Sequence, residues 1–333
     1  MKRFVFFIFT ASLVSFCFGF IFRDKIAPAY EKLLPTPTPA PRIFDKYSID
    51  SLTSATVAIS EIKIDKLLSE NEKYNSYMYK QTFDPTFSNQ KSKTVTGLIN
   101  IPKGEGNFPI VVMFRGYVDP TIYSTGVGTR RAGEVFASNG FITVAPDFFG
   151  YAESDTEAGN VFETRFQTYT TAIETIKSLS TINKWNKNNV FIWAHSNGGQ
   201  IALTTLETTG VNYPTTLWAP VTKPFPYSIL YFTDESVDGG KFLRGELAKF
   251  EELYDTDLYS FTNYLDKINA PIQLHQGTND DAVNWEWSSE FYNKMKSIEK
   301  DITYYKYPGA DHNLQPSWND VVNRDLEFFK KYL

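Results

Sequence analysis

Cysteine is almost absent from this 333-residue chain, which carries one, Cys17. That excludes an internal disulfide framework and any zinc site built on several thiolates. Histidine is nearly as scarce. Only His195, His275 and His312 are present, so chemistry that needs an imidazole must choose among three positions. Positive charge is not in excess either. Lys and Arg number 33 against 38 Asp and Glu, a net −5, without the basic surplus of a nucleic-acid-binding protein. No repeat of 20–50 residues recurs, which argues against a solenoid. What is plentiful is apolar and aromatic: 42% of residues are hydrophobic and 16% are Phe, Trp or Tyr. That is ample for a buried core and excludes a disordered chain. At about 100–200 residues per domain, the length allows one large domain or two ordinary ones.

One long stretch has no charge. Phe4 to Phe22 lies between Met1-Lys2-Arg3 and Arg23-Asp24-Lys25. As a helix it spans about 28 Å, close to the hydrocarbon thickness of a bilayer. Residues 1–25 therefore read as a signal anchor, or as a signal peptide cleaved near the small residues around Cys17 and Gly19. Pro35, Pro37, Pro39 and Pro41 alternate with Thr and Ala. This favours polyproline II, so residues 26–41 read as a semi-rigid linker. The expectation is an extracytoplasmic body, 42–333, held at a membrane through residues 4–22 or else secreted.

Within the body, alternating segments at Val57–Ile64, Tyr77–Phe83 and Thr94–Ile101 predict antiparallel strands. The texture then changes. Ile110–Phe114, Ile142–Pro146, Val190–Ala194 and Ile272–His275 are continuous apolar runs, as expected for strands covered on both faces. Thr215–Trp218 and Ile302–Tyr307 add two more. Helical spacing recurs through Phe166, Tyr169, Ile173, Ile176 and Leu179, and near 130–138, 198–207, 285–296 and 317–332. Alternating strands and helices predict an α/β fold with a mostly parallel sheet, whose ligands bind beyond the carboxyl ends of the strands.

The residues after the strands carry reactive groups. Val190–Ala194 leads into Ala194-His195-Ser196-Asn197-Gly198, a variant of the Gly-x-Ser-x-Gly nucleophile elbow. Small neighbours allow the sharp turn that lifts the serine hydroxyl and aims the Asn197 amide at a developing oxyanion. After Ile272–His275 come Asp280 and Asp281, both placed to orient a histidine. After Ile302–Tyr307 comes His312. His195 adjoins the serine in sequence and His275 sits at a strand end, so elimination leaves His312 as the base.

These segments resemble the α/β-hydrolase superfamily, and within it the prolyl oligopeptidase-like and dienelactone hydrolase-like serine hydrolases. Thr96–Pro102 is similar to the family's opening strand, and Arg115-Gly116-Tyr117 to its His-Gly-x oxyanion turn. Ala145–Asp155 is similar to its Asp-x-x-Gly-x-Gly-x-Ser segment. Gly277-x-x-Asp280-x-x-Val283 and Gly309-x-x-His312 are similar to its acid and histidine loops. The resemblance covers roughly residues 90–333. It implies a serine hydrolase acting on ester or peptide bonds through an acyl-enzyme, with Ser196 as nucleophile, His312 as base and Asp280 rather than Asp281 as its orienter. The backbone amides of Tyr117 and Asn197 form the oxyanion hole. No cofactor and no metal are implied, the partner is a small ester or peptide substrate, and no nucleic acid is expected. The alternatives are a carboxylesterase without peptidase activity and a non-catalytic binding module. Arg115, Ala194 and Ala152 depart from the family pattern. Arg115 either holds a substrate carboxylate or braces the turn by pairing with Asp119 or Asp147. Residues 42–93 are too few for a β-propeller, and 221–265 read as a cap insertion or a helical excursion.

Overall fold

The computed structural model of the chain describes residues 41–88, 90–234 and 236–333. The hydrophobic run at 4–22 and the Pro/Thr spacer up to residue 40 lie outside them. Among the described residues no helix is long and apolar enough to cross a membrane.

Nine strands form one sheet. They are β1 (Lys63–Glu70), β2 (Tyr74–Phe83), β3 (Lys93–Pro102), β4 (Phe108–Phe114), β5 (Ile142–Pro146), β6 (Trp185–His195), β7 (Thr215–Trp218), β8 (Ile272–Gly277) and β9 (Ile302–Tyr307). Their spatial order is β1-β2-β3-β5-β4-β6-β7-β8-β9. The first three pair antiparallel, β3 joins β5 antiparallel, and every later pairing is parallel. The helices are α1 (Ile49–Ser54), α2 (Arg130–Ser138), α3 (Val161–Lys177), α4 (Gly198–Thr209), α5 (Tyr227–Leu230), α6 (Lys241–Glu251), α7 (Trp285–Ser297) and α8 (Trp318–Lys331).

The apolar runs are continuous because both faces of the sheet are covered. In β4, Ile110, Val112 and Phe114 face a core shared with α3, α4 and α7, while Val111 and Met113 face α2 and α8. Every one of these side chains is buried. At about 25 cal/mol per Å² of apolar area, such double burial is the dominant stabilising term of the central strands.

The structure overturns one expectation and adds detail to another. The first strand is not Val57–Ile64 but Lys63–Glu70, an edge strand whose residues are all exposed. Residues 57–62 turn their amides elsewhere: Ser60 donates to Ser178 Oγ at 3.0 Å and Ile62 to Thr181 Oγ1 at 3.1 Å. Side chains of the 3-10 turn that follows α3, Ser178–Thr181, replace the ladder, so the alternating pattern there produces no strand. The second concerns 221–265, which follows β7. Its inner half is core: Phe225, Leu247, Phe250, Tyr259 and Phe261 pack with Phe44, Phe162 and Phe166. Its outer half exposes Tyr227, Tyr231, Phe232 and Phe242.

Candidate active site

Strand β6 ends at His195 and α4 begins at Gly198. Between them Ser196 adopts φ 56°, a left-handed backbone that a side chain with Cβ avoids. Such an outlier costs on the order of 1–3 kcal/mol and persists only where its surroundings enforce it. Here three backbone hydrogen bonds do so. Ser196 N–H donates to Trp218 O at 2.9 Å, and its carbonyl accepts from Gly199 at 2.9 Å and Val221 at 3.0 Å. The turn also requires its glycines. A Cβ on Gly198 would lie 2.1 Å from the Phe114 carbonyl oxygen, and one on Gly116 would lie 2.7 Å from Ser196 Cβ. Gly116 thus brings the β4 turn directly against the serine. Ala194, where the family pattern has glycine, is fully buried in the core with its methyl accommodated.

Asp280 and His312 arrive on adjacent strands. β8 leads to Asp280 and β9 to His312, and the loops interlock through Asn279 N–H to Ala310 O at 2.9 Å. His312 Nδ1 lies 2.9 Å from Asp280 Oδ2 and 3.0 Å from Oδ1. Asp280 Oδ1 also accepts from the amides of Ala282 and Val283, and Oδ2 from Gln276 Nε2. Burial alone would raise this carboxyl, but His312 and the loop amides outweigh it and hold the pKa below the usual carboxylate value. Asp281 is exposed.

The other two histidines are occupied elsewhere. His195 Nε2–H donates to the His312 carbonyl at 3.0 Å, and the two rings lie 4.7 Å apart, so the base loop is braced against the residue that precedes the serine. Burial, reinforced by His312, pushes the His195 pKa down to about 4. His275 is fully buried with Asp325, Tyr307 and Gln273 beneath the sheet. No hydrogen bond joins Ser196 Oγ to His312 in this structure.

The turn after β4 is held from behind. Asp147, completely buried, accepts from Thr96, Tyr123, Thr125 and the Gly126 amide. Arg115 reaches the same segment through backbone: Nη2 donates to Asp147 O at 2.8 Å and Nη1 to Gly116 O at 2.9 Å. Its guanidinium lies 3.9 Å from the Tyr151 ring centroid and 4.6 Å from that of Tyr123. Of the acids weighed as its partners, Asp147 contributes its carbonyl rather than its carboxylate, and Asp119 instead caps the turn at Thr121. Tyr117 is exposed at the rim. A pocket of about 240 Å³ opens here, lined by Arg115, Gly116, Tyr117, Tyr151, Arg165 and Asn197 among others. Arg165 and Gln200 had no signal in the sequence, because both sit on helices read only for their apolar faces. Arg165 donates to Gln200 Oε1 and, at 3.5 Å, to Asn197 Oδ1. Among the described residues no cluster of three or more His, Cys, Asp or Glu is placed to hold a metal ion.

The sequence profile of the prolyl oligopeptidase family matches residues 129–333, more than half of the chain. The chain belongs to the prolyl oligopeptidase family. Among curated proteins it is 23% identical over 242 residues to the uncharacterized peptidase YtmA of Bacillus subtilis, covering 71% of this chain and 88% of that one. It is 22% identical over 277 residues to the acetyl esterase Axe7A of Xylanibacter ruminicola, covering 75% and 59% respectively. Among solved structures, the acetyl xylan esterase from Paenibacillus sp. R4 superposes with a TM-score of 0.63 at 16% identity, covering 88% of this chain and 96% of that one. This prolyl oligopeptidase-family member has the α/β-hydrolase fold, with a mostly parallel sheet flanked by helices, and is a hydrolase.

Proposed function

We propose that the chain is a serine hydrolase that transfers the acyl group of a short ester, or of a small peptide amide, to water. The observation that carries this reading is the strained φ of Ser196, on a strand-to-helix turn whose His195 bonds the carbonyl of His312, the histidine held by Asp280. Ser196 Oγ attacks the carbonyl carbon as its proton passes to His312 Nε2. Asp280 fixes the imidazole and stabilises the imidazolium. The amides of Tyr117 and Asn197 receive the oxyanion. His312 then gives the proton to the leaving alcohol or amine, and the acyl–oxygen bond to Ser196 is cleaved by water along the same route. The scheme uses no metal and no cofactor. The size of the pocket beside Asn197 favours short acyl groups. A binding module without catalysis is disfavoured, since it would keep the backbone strain at Ser196 to no purpose.

The apolar run at 4–22 and the proline-rich linker support an extracytoplasmic body tethered at a membrane, with a secreted form as the alternative; the outer half of 221–265 is the part of the insertion suited to capping the site. Mass spectrometry of the mature N-terminus decides the first point, and a chain beginning after residue 17 or 19 excludes the anchor.

The catalytic assignment is tested with a fluorophosphonate, which should label the wild type at Ser196. Ser196→Ala should abolish labelling, and His312→Ala should slow hydrolysis of 4-nitrophenyl acetate by several orders of magnitude. Equal labelling of wild type and Ser196→Ala sinks the assignment. Parallel assays with aminoacyl and prolyl amides separate esterase from peptidase activity.

A further inference from the structure

The pocket beside Asn197 is lined by two arginines and a single carboxylate. Arg115 and Arg165 both line it, and no ion pair among the described residues engages either. The Nε atoms of both are buried and have no acceptor. The Asp147 carboxylate behind Arg115 is fully used by its four donors. One carboxylate, Glu157, does line the pocket, packed beside Gly150, but it pairs with neither guanidinium. Asn197 is the cap position of α4, so the positive end of that helix's dipole adds to the field.

The two arginines differ in how firmly they are held. Arg115 is nearly inaccessible, bonded to two backbone carbonyls and stacked on rings. Arg165 is half-buried, and its acceptors are the neutral side-chain amides of Asn197 and Gln200. Neutral amides on rotatable side chains are weaker acceptors for a guanidinium than a carboxylate, which forms charge-assisted, bidentate bonds. An incoming carboxylate can therefore replace them. The location identifies which half of the substrate carries it. A leaving group must stand beside His312 to receive its proton, yet no residue of the acid or histidine loops lines this pocket. It flanks Tyr117 and Asn197 instead, on the acyl side.

From these observations we propose that the pocket is a carboxylate-binding acyl subsite and that Arg165 is its specificity-determining residue, so that the preferred substrates are esters whose short acyl chain ends in a free carboxylate. The proposal rests on the serine-hydrolase reading. Arg115 serves as the fixed wall of the subsite, and the rings of Phe148 and Tyr151 cover the methylenes of the chain.

The test uses the full chain and two matched substrates, mono-4-nitrophenyl glutarate and its neutral methyl ester. The wild type should favour the acid by about ten- to a hundredfold in kcat/KM, as expected for a charge-assisted hydrogen bond, mainly through KM and less so as salt rises. Arg165→Met should bring the ratio of the two substrates near one, and Arg165→Lys should keep part of it. A wild-type ratio near one, or an Arg165→Met loss that is equal for both esters, overturns the subsite. Fluorophosphonate labelling separates the two readings. If Ser196 is labelled and the neutral ester is cleaved without a preference for the acid, only the subsite fails. If Ser196 is not labelled and neither ester is cleaved, the serine-hydrolase reading itself fails.

Discussion

Glu207 and Asp280 show how the same carboxyl chemistry diverges with environment. Asp280 is surrounded by donors and held as an anion. Glu207, on α4, is buried with neither oxygen partnered. Burial pushes its pKa well above the usual value, with Lys267 pulling back and Asp266 pushing further. A folded-state pKa raised above the unfolded one gives a contribution that is complete below the unfolded pKa and is lost as pH rises through the folded value. Glu207→Gln keeps the shape and stays neutral. It should therefore raise Tm by a few degrees at pH 8, with the gain vanishing near pH 4. Thermal melts at the two pH values check this, and identical shifts at both would contradict it. At this scale the sequence was unevenly legible. With three histidines, elimination points to His312, which the structure sets against Asp280; His195, its pKa pushed down to about 4 by burial, is bonded to the His312 carbonyl. Arg165 was invisible because it lies among the polar positions of an amphipathic helix, and only the crossing of α3 over the start of α4 turns it toward Asn197.

At the scale of elements, Asp280 and His312 meet because β8 and β9 are parallel neighbours, about 4.8 Å apart, whose loops leave the same edge of the sheet. Gly277 is the point of closest approach. A Cβ there would stand 2.2 Å from the Ala310 carbonyl oxygen, which is backbone and cannot step aside cheaply. Gly277→Ala should force the loops apart and lengthen the His312–Asp280 contact. The expected result is a fall in kcat of about a hundredfold or more with the far-UV circular dichroism retained, since only the last residue of β8 is disturbed. An unimpaired variant would show that the two loops are not set by this contact. The central strands were legible because double burial leaves an unbroken apolar run. The strand at 63–70 was not, because an exposed edge strand has no buried face to impose alternation. The segment before it alternates yet spends amides on the side chains of Ser178 and Thr181, in the turn after α3.

The molecule as a whole joins two pieces of machinery. The family profile begins at residue 129, yet Ile43–Leu333 is one compact unit, with Phe44, Tyr47, Ile49 and Leu52 in the main core. The order of serine, acid and histidine along the chain was readable in advance, whereas the docking of the first helix into the core required long-range contacts that no local pattern encodes. The long excursion after β7 falls between the two reactive halves. Everything before it carries Ser196 and the β4 turn; everything after it carries Asp280 and His312. Its outermost stretch, around Ser236–Gly239, is exposed. The backbone can thus be severed there with each half keeping its own strands and only its own reactive groups. Two separately encoded fragments, ending at Thr233 and starting at Gly240, should each fail to cleave 4-nitrophenyl acetate and should regain activity when co-expressed, because the β7–β8 pairing and the aromatic cluster around Phe166 and Phe250 supply the surface for reassembly. Fragments that co-purify without activity would show that continuity of the excursion is itself required. If complementation succeeds, the chain is a two-part device whose hydrolysis reports the encounter of its halves.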